Sequence, residues 1–350
     1  MQTLARAHIG VDLHRDVVQV SVLDERGHER KQRRFRLREA GGTEAVLAYL
    51  EGWGAGSRIA VEAMGLNRWL VNGCQARGLE VLVVDPVKLG LKTTGTKTDR
   101  RDAYELARRL WLGDLDRNAR TYYPTDEEYA VRKLVRTRHK LVGMRQEVVN
   151  QIRAILNAYR LGTPAGHLYS GVNLSWLEQQ VSELGRLGIS LRALTMTLPE
   201  VQQAIRLLGV EVREVARHDR GVQGLMEIDQ IAALTAVTLI YELGPADRFT
   251  RARAVASYAG LSPRVSNSGE RTRHGRLTRR GNSLLRWILG QMAVRLLAYD
   301  PAVKRWAAPR LRRMHINKLR VVLARRLLIS LVHCLRSGEV FSREKCLGIA

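Results

Sequence analysis

The chain has 350 residues, enough for two or more domains of ordinary size, each burying its own core. Lysine and arginine number 58 against 34 acids, a formal charge of +24, so the expected partner is a polyanion and nucleic acid stands first. The longest uncharged apolar run, residues 230–241, is well short of the roughly 20 that span a bilayer, and Cys74, Cys334 and Cys346 form no CxxC pair, which argues against a transmembrane helix, a disulfide framework and a thiolate zinc site.

The opening MQTLARAHIGVDLH holds no apolar signal core and no small-residue cleavage pattern, which predicts a cytoplasmic protein. Short apolar runs at 8–13, 17–23 and the more charged 29–37, with a turn at 24–27, predict a three-stranded antiparallel meander. A helix at 43–50, a strand at 58–62, a helix at 66–77 and a strand at 80–84 follow. That alternation predicts parallel strands joined by crossover helices, so the first third is an α/β unit.

Four acids stand out in it. Asp12, in IGVDLH, ends the first strand, where apolar neighbours bury the backbone and a carboxylate is costly without a cation or donors nearby. Glu62, in RIAVEAMG, ends another inner strand, and strand ends on one edge of such a sheet are where ligand sites form. Asp99 and Asp102 open the helix of TDRRDAYELARRL, and their i, i+3 spacing sets them on one face with Ala103, Leu106 and Leu110, the stripe expected to pack on the sheet. Taken singly, Glu62 is equally a strand-end charge, and Asp99 and Asp102 equally favour a helix N-terminus capped by Thr98. Taken together, four convergent carboxylates suit two Mg²⁺ ions about 3.5 to 4 Å apart, which activate the attacking oxygen and stabilise the leaving oxygen of a phosphodiester. The preceding GLKTTGTKT is close to a phosphate-binding loop, but Thr96 separates Gly95 from Lys97, and nucleotide binding is set aside. Lys92, Lys97, Arg100 and Arg101 instead give the acids a basic rim for a nucleic-acid backbone.

After Pro124, Leu134, Leu141, Val148 and Ile155 repeat every seven residues, as do Val135, Val142, Val149 and Leu156. This is one long helix with a sustained apolar seam, to be covered by another helix of this chain or of a second copy. Residues 161–173 read as a linker, and a second helical stretch runs to about residue 220. The final third reads as helices at 228–243, 252–259, 283–299 and 318–336, joined by basic loops. The loop at 260–286, GLSPRVSNSGERTRHGRLTRRGNSLLR, carries seven Arg, one acid and four Gly, flexible enough to fit a nucleic-acid backbone and charged enough to bind it. Ser268 stands there in an NSG turn. A serine is a weak nucleophile unless a base, a metal or clustered positive charge activates it; Arg264, Arg271, Arg273 and Arg276, with Arg279 and Arg280 beyond, supply the charge, and His274 is the nearest candidate base. On chemistry alone Ser268 is an ordinary turn serine.

The order IGVDLH, VEAMG, TKTDRRDAYELA and YAGLSPR, followed closely by NSG, resembles the insertion sequence one-ten family of transposases, bridge-RNA-guided recombinases, over nearly the whole chain. The resemblance implies an N-terminal RNase H-class domain like the RuvC Holliday-junction resolvase with a DEDD metal site, a coiled coil, and a mainly helical C-terminal transposase domain with a catalytic serine. Carried to matching positions, Asp12, Glu62, Asp99 and Asp102 bind Mg²⁺ and Ser268 attacks the DNA phosphate. It also implies active sites shared between the metal domain of one subunit and the serine domain of another, and a structured RNA that chooses donor and target. The PGIG-type hairpin common in relatives is absent, since MEIDQIAALTAVTLIYELG stands before YAGL without its two glycines, which counts against a helix-hairpin-helix contact.

The expected organisation is therefore a RuvC-like domain at 1–124, a helical coiled-coil and dimerisation region at 125–220, and a serine-bearing transposase domain at 221–350. The expected partners are DNA, a guide RNA and further copies of the chain as a homodimer or homotetramer, with no membrane. The competing readings are a hydrolytic resolvase-type nuclease, in which the acids activate water and Ser268 is structural, and a non-catalytic nucleic-acid-binding protein.

Overall fold

In the computed structural model, which describes residues 6–54, 56–89, 98–268, 271–278 and 280–348, the alternating N-terminal runs pair into one sheet. Its strands are β1 (His8–Leu13), β2 (Val17–Leu23), β3 (Glu29–Arg36), β4 (Arg58–Glu62) and β5 (Glu80–Val84), in the order β3-β2-β1-β4-β5. The first three form the expected antiparallel meander, and β4 and β5 add on parallel to β1. Such parallel additions need crossovers, supplied by α1 (Gly42–Glu51) and α2 (Arg68–Ala76).

Period-two alternation sorts the side chains onto two faces. Ile9, Val11, Val18, Val20, Val22, Phe35, Ile59 and Val61 face one way and bury Val46, Leu47 and Leu50 of α1 with Leu70, Val71 and Cys74 of α2. The other face carries Gly10 and Ala60. There, after the short α3 (Pro86–Leu89), α4 (Asp99–Trp111) lies directly on the sheet, and Leu106 and Leu110 join Ala60, Leu82 and Val84 with Leu115 of α5 (Asp114–Asn118). Gly10 permits this closeness, because a Cβ there would stand 2.0 Å from the Ala103 carbonyl oxygen and 2.5 Å from the Ala107 nitrogen. The chain folds as two compact units, this one spanning Met1–Tyr123 and the second Pro124–Ala350.

The second unit begins with the long helix, α6 (Asp126–Ala158), opened by a capping box between Thr125 and Glu128. Its seam is covered within the chain. After α7 (Gly171–Glu183), α8 (Arg186–His218) returns antiparallel along α6, with Val149, Ile152 and Leu156 packed with Leu191 and Leu198 at one end and Val131 and Val135 with Val212 and Ala216 at the other. The latter end is built into a helical core made by α9 (Arg220–Met226), α10 (Ala233–Leu243), α11 (Ala252–Tyr258), α12 (Ser283–Tyr299), α13 (Pro301–Leu311), α14 (Ile316–Ser337) and α15 (Arg343–Leu347).

Three local expectations are corrected. The basic segment expected to be a flexible loop pairs as an antiparallel ribbon, β6 (Pro263–Ser268) with β7 (Arg271–Leu277), so Ser268 ends a strand opposite Arg271. The helix expected from 228 starts at Ala233, since Gln230 takes a left-handed φ of 71° and breaks the turn at Ile228 and Ile231. The helix α13 is not among the expected elements, although Asp300-Pro301 announces it: the Asp300 carboxylate accepts from the Ala302 and Val303 amides at 2.8 and 3.1 Å, and Pro301 takes the first helical position. Among the described residues all three cysteines are free thiols, and no helix is long and apolar enough to cross a membrane.

Candidate active site

Asp12 and Glu62 follow the paired Val11 and Val61 of neighbouring parallel strands, so both project from the α4 face of the sheet. Thr98 caps α4 by accepting from the Arg101 amide, and its first turn then carries Asp99 and Asp102. The seating of α4 against Gly10, one pleat before Asp12, brings that first turn to the end of β1. Asp12 and Asp102 are both buried, 6% and 7% exposed, whereas Asp99 is part-exposed.

A residue absent from the expectations joins them. His14 shares the face of Asp12 by strand spacing, and its Nε2 lies 3.1 Å from Asp12 Oδ2 and 3.3 Å from Asp99 Oδ1. Ligand atoms of Asp12, His14 and Asp99 all fall within 4.8 Å of one another, the one such group among the described residues. Asp102 and Glu62 stand outside this tight set: Asp102 beside it, close enough to push the Asp12 carboxyl upward, and Glu62 on the adjacent strand, its carbonyl accepting from Asn67 Nδ2 at 2.8 Å. Burial chiefly holds the Asp12 carboxyl above the ordinary carboxylate range; His14 draws it down, and Asp102 and Asp99 raise it. A buried carboxylate among like charges is stabilised by a cation, and oxygen donors with one imidazole fit a divalent ion of the Mg²⁺ or Mn²⁺ kind.

Arg100 and Arg101 lie on the same first turn and both are exposed; Lys97 lies outside the described residues. In the second unit, the ribbon places Ser268 opposite Arg271, Ser266 opposite Arg273 and Val265 opposite His274, with the register shift at Arg264. Arg276 continues β7, Arg280 is exposed beyond it, and Arg279 lies outside the described residues.

The chain on either side of this ribbon, at Tyr258 and Asn282, is tied to a buried anchor that sequence reasoning also missed. Glu242, 0% exposed near the end of α10, receives a two-pronged contact from Arg136 of α6 at 2.6 and 2.7 Å and a hydrogen bond from Asn282 Nδ2 at 2.5 Å. Asn282 in turn caps α12 through the Leu285 amide, and Tyr258 donates to the Glu242 carbonyl at 2.8 Å. Gly281, at φ 104°, passes so close to the Tyr258 carbonyl that a Cβ would lie 2.4 Å from it. The only sequence signal was a lone acid in the apolar run TLIYELG.

Comparison with known proteins bears on both regions. The DEDD transposase family of the IS110 type matches residues 9–161, and the family described as "Transposase IS116/IS110/IS902 family" matches residues 222–307. The first span contains the four acids and the second contains Glu242 and Ser268. The chain is 26% identical to the transposase for insertion sequence element IS1111A of Coxiella burnetii, over 83% of this chain and 78% of that protein. It is 25% identical to a probable family 20 transposase of Pseudomonas aeruginosa, over 95% of this chain and 99% of the other. With a putative transposase of Sinorhizobium fredii it shares 32% identity over 62% of this chain and 52% of that one.

Proposed function

This chain is a transposase of the IS116/IS110/IS902 family, and we propose that it cuts and rejoins DNA at a carboxylate metal site, with Ser268 as the attacking nucleophile. The observation that carries this reading is the convergence of Asp12, Asp99 and Asp102, with His14, at one end of the α4 face, and Glu62 beside them on β4. These side chains would hold Mg²⁺, two ions when all four acids contribute; bound there, the ions lower the barrier by neutralising charge on the attacking and leaving oxygens of a phosphodiester.

The residues do the rest. Arg100 and Arg101 hold the flanking phosphates, and the arginines of the β6–β7 ribbon neutralise charge on the phosphoryl group under attack. The Ser268 oxygen forms a bond to phosphorus as the P–O3′ bond breaks, its proton leaves, and the released 3′ oxygen takes one up. The phosphoserine so formed keeps the energy of the phosphodiester, and attack by a 3′ hydroxyl of another strand reverses the step, restoring the serine and sealing the exchange. Anchoring of the ribbon's flanks by Glu242, Arg136 and Asn282 suits a nucleophile that must meet a fixed phosphate.

The N-terminal sheet and helices support a RuvC-like RNase H-class fold for this domain, and the α6–α8 hairpin a coiled coil. We extend the reading to a homodimer or homotetramer with shared active sites and to guidance by a structured RNA, as the family resemblance implies. Exposed Ile189, Met196, Leu207 and Val210 along α8 support a further copy of the chain packing there. The test is to incubate the protein with Mg²⁺ and DNA carrying the element's ends. Wild type should become covalently attached to DNA and Ser268→Ala should not. Free ends with undiminished activity in that variant would assign hydrolysis instead, and Asp12→Asn and Asp102→Asn variants with every activity intact would reduce the protein to a binder.

A further inference from the structure

The edge strand β3, ERKQRRFR, is almost wholly charged, but its register sorts those charges onto two faces. Lys31 pairs with Val22 and Arg33 with Val20, on the face of the apolar core, where the Arg33 guanidinium lies 4.8 and 5.1 Å from the ring centroids of Phe35 and Tyr49. Arg34 pairs with Gln19, which pairs with Asp12, and Arg36 pairs with Val17, which follows the turn from His14. The rows Glu62, Asp12, Gln19, Arg34 and His14, Val17, Arg36 thus run across the same face, from the acids to the open edge of the sheet. Two strand spacings of about 4.8 Å set the Arg34 backbone roughly 10 Å from that of Asp12.

Helix α4 leaves the β3 end of these rows exposed, whereas Gln19, between Asp12 and Arg34, is itself buried at 7% exposure. The first turn of α4 stands over the end of β1, and the helix crosses away toward the β2–β3 turn, where Trp111 Nε1 donates to the Glu25 carbonyl at 3.0 Å. Arg34 and Arg36 are both exposed. Among the described residues Arg34 has no acid within ion-pair distance, and Arg36 has only exposed Glu39 at 3.6 Å, a contact too weak to hold it against a phosphate.

We propose that Arg34 and Arg36 form a phosphate track beside the acid site, seating the backbone of the DNA strand to be cut along the exposed edge strand β3. The inference rests on the acid site being where DNA reacts. Two guanidiniums in line with the acids fix the strand's direction relative to the scissile phosphate, which a diffuse positive charge does not do.

The test compares the full-length protein with Arg34→Gln/Arg36→Gln and with Lys31→Gln, whose charge projects from the other face. Affinity for a fluorescent DNA duplex of arbitrary sequence is measured against KCl, with Ca²⁺ present to permit binding without cutting. Loss of two phosphate contacts should lower the slope of log affinity against log salt by about 1.8 in the double variant, and Lys31→Gln should leave it unchanged. An unchanged slope in the double variant overturns the track. So does an equal change per charge in Lys31→Gln, or a loss confined to an RNA hairpin probe. Mn²⁺ binding to the double variant, followed by its electron paramagnetic resonance signal, should match wild type. Failure of wild type itself to bind Mn²⁺ would count against the metal site, not the track.

Discussion

Gly10→Ala perturbs the site without touching any of its functional side chains. The added Cβ would meet the Ala103 carbonyl oxygen at 2.0 Å, the Ala107 nitrogen at 2.5 Å and Leu106 Cβ at 2.9 Å. The first two are helix backbone and cannot rotate aside. From 2.0 Å to ordinary contact at about 3.4 Å, α4 must lift by roughly 1.4 Å, or β1 must bend by as much. Overpacking of this kind costs about 1–3 kcal/mol, or more against backbone. Because Asp99 and Asp102 ride on the lifted helix while Asp12 stays on the strand, a displacement near 1 Å should lower strand cleavage by about 100-fold. Cleavage of DNA carrying the element's ends should be measured beside thermal melting, with Gly143→Ala as the comparison, since a Cβ at Gly143 meets nothing within 4 Å. Cleavage within threefold of wild type, with an unchanged melting temperature, would refute the claim that close seating of α4 assembles the acids.

Further expectations concern stability and reactivity. Asp12 has a folded-state pKa above its unfolded value, so its contribution to stability is fully present at low pH and is lost as pH rises from the ordinary carboxylate range through the raised value. At neutral pH in EDTA, Asp12→Asn should therefore melt higher than wild type, and Mn²⁺ should stabilise wild type but not the variant; a lower melting point in EDTA would contradict the reading that burial of the Asp12 charge outweighs its contact with His14. Glu242→Ala strips the partner from half-exposed Arg136 and from Asn282 and should destabilise the second unit by about 2–3 kcal/mol, read by urea unfolding, with a loss under about 1 kcal/mol refuting an anchoring role. The Cys74 thiol, pushed up to about 12 by burial, should resist Ellman's reagent at pH 8 until the protein unfolds; rapid labelling of Cys74 in the native protein would contradict its burial.

Much of the first unit is legible in the sequence because its cues are local. Strict alternation marks β1 and β2, and the strands at Arg58–Glu62 and Glu80–Val84 stand out as apolar runs bounded by turns. The i, i+3 spacing of Asp99 and Asp102 announces a shared face. His14 is not legible, because an exposed histidine just past a strand has no pattern of its own; only the arrival of α4 over Gly10 gives it two carboxylates to face. Glu242 is hidden for the same reason, its partners Arg136 and Asn282 lying 106 and 40 residues away. The segment around Ser268 misleads through composition. Gly and Arg suggest a flexible loop, whereas cross-strand pairing, a nonlocal property, decides that it is a ribbon. The heptad repeat of α6 marks a covered seam, but a seam does not name its partner, and within the chain that partner is α8.

The most direct test of the metal site is anomalous diffraction from crystals of the full chain soaked in Mn²⁺. The account predicts a peak within coordinating distance of Asp12 and Asp99, with the His14 ring turned toward it, and its loss in Asp12→Asn. Ordered crystals with no peak beside these residues, or with the ion held elsewhere in the chain, would contradict it.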